Sequence, residues 1–126
     1  MNAYRPHMMT KVRSEAIRKE AEGKPCTLRI SSFYPGYTCS SEETTVLVHL
    51  DDVGGQSTAS KVTDIAGCFG CGQCHDILSG VDIKARDYIR DTYPLALGHR
   101  IYTALVETQA MLMDSNLLIV PDGELI

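Results

Sequence analysis

The sequence predicts a small α+β domain, and three observations lead there. One short stretch alternates sharply between apolar and polar residues, two amphipathic helical stretches lie near the C-terminus, and four cysteines are spaced to staple loops together. A chain of 126 residues can bury one ordinary core. Its 44% hydrophobic and 22% charged residues are globular values rather than disordered ones. Residues 1–12 read as a tail and 13–126 as a single domain without repeat or linker.

Taken in order, residues 13–22 form a short helix with Ala16, Ile17 and Ala21 on one side, stopped at Gly23-Lys24-Pro25. "CTLRI" (26–30) reads as a strand that enters a turn-rich loop carrying Cys39. "TTVLVHL" (44–50) is the clearest strand: Val46, Val48 and Leu50 share one face, Thr45, Leu47 and His49 the other. The Gly/Ser/Thr-rich loop "DDVGGQSTASK" has no apolar period and suits a segment that stays mobile until something binds it. "VTDIAG" (62–67) is a candidate second strand, and a helix starts near Cys74 and ends at Gly80. Two more helices follow, about 82–92 and 95–114, divided at Tyr93-Pro94. In the last of them Ile101, Leu105 and Leu112, flanked by Tyr102, Val106 and Met113, give a broad apolar stripe. "NLLIVPDGELI" reads as a terminal strand with a Pro-Asp-Gly turn.

Composition narrows the compartment. No apolar run approaches the roughly 18 residues of a membrane span. The N-terminus lacks the apolar core of an export signal, so a cytoplasmic protein is expected. Clustered cysteines in that compartment more often bind metal or do redox chemistry than form disulfides. Charge is unevenly spread. The net value is −4, yet residues 1–30 hold seven Lys/Arg against three Glu. That patch has two readings: the solvated face of a helix, or a local contact for a polyanion through Arg13, Arg18, Lys19 and Lys24.

The densest stretch is "CFGCGQCHD" (68–76). Cys71-Gly-Gln-Cys74-His75 matches the C-x-x-C-H pattern of covalent haem attachment. It equally supplies half of a tetrahedral zinc site, which takes two ligands from each of two short segments. Cys26 and Cys39 bracket a loop and provide a second pair. Zinc therefore outranks haem, whose attachment generally takes place outside the cytoplasm. A structural zinc can supply on the order of 10 kcal/mol of folding free energy to a small domain. Cys68 forms a second C-x-x-C with Cys71 and reads better as a small buried hydrophobe.

With Cys71 and Cys74 assigned to zinc, His49 and His75 are left for chemistry. A strand, a loop, a short strand and a helix opening with His75-Asp76 make a β–β–α unit. Such a unit can set a base on the strand opposite a metal ligand on the helix. Phosphodiester hydrolysis suits that arrangement: the imidazole deprotonates water, and a divalent ion neutralises the phosphate.

"RKEAEGKPCTLRI", Cys39, "VLVHL" and "TDIAGCFGCGQCHD" with the C-terminal helix resemble the YbcO-like family of small prophage proteins. That family is related to the HNH, or His-Me finger, endonucleases, and the resemblance runs from about residue 13 to 120. It implies a zinc-stapled ββα-metal core with an N-terminal helix and C-terminal helices. It implies His49 as general base, His75 as ligand of a catalytic divalent ion (Mg²⁺ or Mn²⁺), and Cys26, Cys39, Cys71 and Cys74 as structural zinc ligands. The implied activity is metal-dependent hydrolysis of DNA, single- or double-stranded, in a phage or prophage setting within a bacterial host. Three positions depart from the superfamily pattern. Val48 stands where a second metal ligand is common, with Asp51 or Asp52 as substitutes; Asp64 replaces an Asn and is available to orient His49 or bind metal; and Ile77, Leu78 and Ser79 supply no basic residue to the knuckle helix. The competing reading is a zinc-stapled module that binds nucleic acid or protein without catalysis.

Overall fold

A computed structural model describes residues 10–50 and 63–126. Four α-helices and a two-stranded antiparallel sheet are built from them: α1 (Glu15–Glu20), β1 (Val46–His49), β2 (Gly67–Gly70), α2 (Gly72–Ser79), α3 (Ile83–Thr92) and α4 (Pro94–Asp114). Single 3₁₀ turns occur at Ser31–Phe33, Glu42–Thr44 and Asp64–Ala66. The α+β class expected from sequence is the class observed.

Each helix starts where its capping chemistry is. Ser14 caps α1 by accepting the Ile17 N–H at 3.1 Å, and Asp82 caps α3 by accepting that of Ala85 at 3.1 Å. Pro94 opens α4, where its missing N–H costs nothing and its fixed φ suits the first turn. Gly80 ends α2 in the left-handed conformation, φ 86°.

The sheet pairs Val46 with Gly70, Leu47 with Phe69, Val48 with Cys68 and His49 with Gly67. Leu47 and Phe69 pack with Ile17, Ala21 and Leu112, burying α1 and the end of α4 on one side. Val48, Leu50 and Cys68 join Leu28, Ile30, Ile77, Ala85 and Ile89 on the other. Gly70 is required by close approach: a Cβ there would meet Leu28 and Val48 at 2.8 Å. The outer edge of β2 is closed by side chains and loop rather than by a third strand. Thr108 Oγ1 of α4 accepts the Phe69 N–H at 3.1 Å, while the N–H of Thr27 donates to the Phe69 carbonyl at 2.6 Å.

Four expectations are corrected. Residues 26–30 form no ladder: Arg29 takes φ 48° and its N–H turns back to Cys26 Sγ at 3.4 Å, so the sulfur rather than a strand claims this backbone. The second strand lies at 67–70, not 62–67, because Asp64–Ala66 closes a 3₁₀ turn. On α4 Ile101, Leu105 and Leu112 pack inward as expected, but the flanking Tyr102 and Val106 are exposed, and the small Ala104 and Thr108 are fully buried and let the helix lie close to β2. The C-terminal segment makes a turn, Gly123 N–H to Val120 carbonyl at 3.0 Å, but no strand. The loop at 51–61, with Asp51 and Asp52, lies outside the described residues.

Thr108 is fully buried and bonds both Phe69 and Thr27 (Oγ1 to Oγ1, 3.1 Å). Thr108→Val should strand a buried N–H and lower stability by about 1–3 kcal/mol, measured by urea denaturation.

Candidate functional site

The Sγ atoms of Cys26, Cys39, Cys71 and Cys74 lie within 4.8 Å of one another. Those of Cys39 and Cys74 are 3.8 Å apart, which matches the roughly 3.8 Å edge of a tetrahedron with 2.3 Å metal–sulfur arms. None of the five cysteines is disulfide-bonded. Three of the four sulfurs also accept a local hydrogen bond. Cys71 Sγ caps α2 by accepting the Cys74 N–H at 3.4 Å, Cys26 Sγ accepts the Arg29 N–H at 3.4 Å, and Cys39 Sγ takes the Ser31 hydroxyl at 3.5 Å. The hydrogen bond from the Cys74 thiol, helped against burial by the Arg29 N–H, pulls Cys26 down to about 4. The same bond, with burial, pushes Cys74 up. Protons are thus shared unequally within a cluster whose negative charge a divalent cation would partly offset. The four cysteines can hold a metal ion, and the donor set fits structural zinc. Cys68 stands apart on β2, fully buried, its thiol pushed up to about 12 chiefly by that burial.

The remaining α2 N–H groups are also satisfied: Gly72 donates to Thr44 Oγ1 and Gln73 to Ser40 Oγ, both at 2.9 Å. The knuckle, its capping loop and α2 therefore form one rigid corner. His75 follows Cys74 directly and is exposed on the first turn of α2.

His49 closes β1, and its Nε2 lies 2.8 Å from Oδ1 of Asp64. Asp64 is only 4% exposed. Its second oxygen accepts the Ser14 N–H at 2.6 Å and sits 3.5 Å from Arg18 Nε. Burial raises the carboxyl, but the Ser14 N–H, the His49 ring and the Arg18 charge outweigh it and hold Asp64 below its ordinary value. An ionised Asp64 can only accept, so Nε2–H of His49 donates to it and Nδ1 keeps a lone pair.

His49 and His75 line one cleft of about 380 Å³, together with Leu78, Ile101, Arg86 and Arg90. The two arginines come from α3 and were not singled out from sequence. Their i, i+4 spacing after the knuckle helix was the signal available. Val48 also borders the cleft but is only 3% exposed and belongs to the core. Of the N-terminal cations, Arg13 is exposed, Arg18 faces Asp64, Lys19 pairs with Glu15 at 3.3 Å, and Lys24 with Glu20 at 3.1 Å. Among the described residues no helix is long and apolar enough to cross a membrane.

The fold and this site define a class: a mixed helix-and-hairpin protein with a four-cysteine cluster beside a His/Arg-lined cleft. The sequence profile of the family described as putative nuclease YbcO matches residues 15–97, and the chain belongs to that family. A solved structure described as a putative bacteriophage protein from Escherichia coli strain K-12 aligns with 80% of this chain and 100% of its own, at 23% identity and a TM-score of 0.47. No curated protein matches the sequence.

Cys71→Ser should lose bound zinc and unfold at lower temperature, whereas Cys68→Ser should keep its metal, as read by elemental analysis of the purified variants. Because Asp64 is depressed in the fold, its stabilising contribution is complete above about pH 4 and is lost as pH falls through the folded value. Asp64→Asn should flatten the acid limb of a Tm-versus-pH curve.

Proposed function

We propose that this protein is a metal-dependent endonuclease of the HNH type that hydrolyses DNA phosphodiester bonds, with residues 13–126 as its catalytic domain. The observation that carries the reading is the His49–Asp64 bond at 2.8 Å on the wall of a cleft shared with His75. The family's description as a nuclease agrees with it. In this reading β1, β2 and α2 are the ββα-metal unit, stapled by zinc on Cys26, Cys39, Cys71 and Cys74.

Asp64 fixes the His49 tautomer and orientation from behind. Nδ1 then takes a proton from a water aimed in line at phosphorus, and the positive imidazolium that forms is stabilised by the carboxylate. His75, exposed at the head of α2, is the residue to hold Mg²⁺ or Mn²⁺. When bound, that ion neutralises the phosphate and stabilises the leaving oxygen. In this reading Arg13, Arg18, Lys19 and Lys24, on or flanking α1, contact the DNA backbone, with the N-cap residue Ser14 held by Asp64. The setting we infer is phage or prophage recombination or DNA processing in a bacterial cytoplasm.

One observation favours a second reading, a zinc-stapled binding module without catalysis. No carboxylate lines the cleft among the described residues, so His75 has no acidic partner there for a metal.

Purified protein should nick plasmid or single-stranded DNA with Mg²⁺ or Mn²⁺, and His49→Ala should reduce the rate by about 10²–10⁴ while leaving bound zinc intact. Undiminished cleavage by His49→Ala overturns the assignment of the base. Absence of cleavage with either ion favours the binding module.

A further inference from the structure

The cleft between β1 and α3 departs from the charge of the whole. The chain carries a net −4, yet the charged or ionisable groups lining this cleft are Arg86, Arg90, His49 and His75, and no carboxylate among the described residues. Arg86 and Arg90 are four residues apart on α3 and therefore project to the same side of that helix.

The two arginines are held differently. Arg86 lies across the C-terminal end of α2, with its Nη1 2.5 Å from where a Cβ at Gly80 would be. There it also meets the partial negative charge of the α2 carbonyl end. Its Nε is buried without a hydrogen-bond partner, since Asp87 Oδ1 at 3.6 Å is too far to accept one. Arg90 is exposed and enters no ion pair among the described residues. One guanidinium is thus positioned but under-satisfied, and its neighbour one turn on is free. Both open on a half-enclosed space where an anion would be partly desolvated.

We propose that Arg90, backed by Arg86, binds a backbone phosphate of nucleic acid in the cleft that both share with His49. The planar guanidinium fork matches two phosphate oxygens, which a lysine at the same place would not do. This also supplies from α3 the positive charge that α2 itself lacks. The inference deepens the nuclease reading by naming residues that place the diester, but phosphate binding does not require cleavage.

The test is equilibrium binding of full-length protein to a fluorescently labelled duplex and to its single strand, over a range of NaCl without added divalent ion. Variants are Arg90→Gln, Arg86→Lys and, as a charge-matched control, Lys84→Gln. Lys84 sits on α3 two residues before Arg86, exposed and facing away from the cleft. Arg90→Gln should weaken binding and make the slope of log Kobs against log salt shallower by about 0.9 on the duplex and about 0.7 on the single strand. Lys84→Gln should leave the slope unchanged. Arg86→Lys, which keeps the charge and loses the fork, should weaken binding without changing the slope. Circular dichroism melts of each variant separate these losses from unfolding. Equal slopes for Arg90→Gln and Lys84→Gln overturn the proposal, as does a wild-type protein that binds neither nucleic acid. Salt-dependent binding lost in Arg90→Gln, with no cleavage under Mg²⁺ or Mn²⁺, supports the phosphate site and overturns the nuclease reading alone.

Discussion

Four cysteine sulfurs drawn within 4.8 Å set the layout of the rest of this protein. Thiolates at that separation repel one another strongly, so the cluster is stable only with protons or a cation between them. Its consequences are local and specific. Cys26 Sγ takes the Arg29 N–H, and the segment that reads as a strand becomes a turn with Arg29 at φ 48°. Cys71 Sγ takes the Cys74 N–H as the N-cap, and α2 begins at the next residue, Gly72, as a result. His75 comes next in the chain, so the sulfur corner determines where that imidazole can be.

A second constraint works from the opposite side of the sheet. Asp64 is almost fully buried and satisfies both oxygens, one with His49 and the other with the backbone of Ser14 beside Arg18. A buried carboxylate needs such partners to remain ionised. The same group therefore orients the histidine and docks the start of α1. The start of α1 is held next to His49 by the residue that fixes the His49 tautomer, and the two cannot be moved independently.

Between these two corners lies the cleft. β1 contributes His49, α2 contributes His75 and α3 contributes the arginine pair. α4 closes the core behind β2 through Thr108 and Leu112 and brings Ile101 to the rim of the cleft. Hairpin and helices thus frame one electropositive space in an acidic protein.

Residue chemistry and short-range spacing were enough to read the α+β class, the strand that carries His49, the helix breaks at Gly80 and Pro94, and Cys71 with Cys74 as half of a metal site that Cys26 and Cys39 could complete. Capping, periodicity and ligand spacing are local properties, and they act whatever the rest of the chain does. The strand at 67–70 was not legible, because Gly-Cys-Phe-Gly has none of the β-branched character that marks a strand. It pairs because Gly70 leaves room for Leu28 and Val48, and because Thr27 and Thr108 complete its edge. The sequence offered Asp64 as a partner for His49 and Cys68 as a buried residue apart from the zinc set, and the tertiary structure selected both; the meeting of Arg86 and Arg90 with two histidines was decided by the tertiary structure alone. Each joins residues from different elements, and only the packing of β1, α2 and α3 around one core brings their side chains within reach.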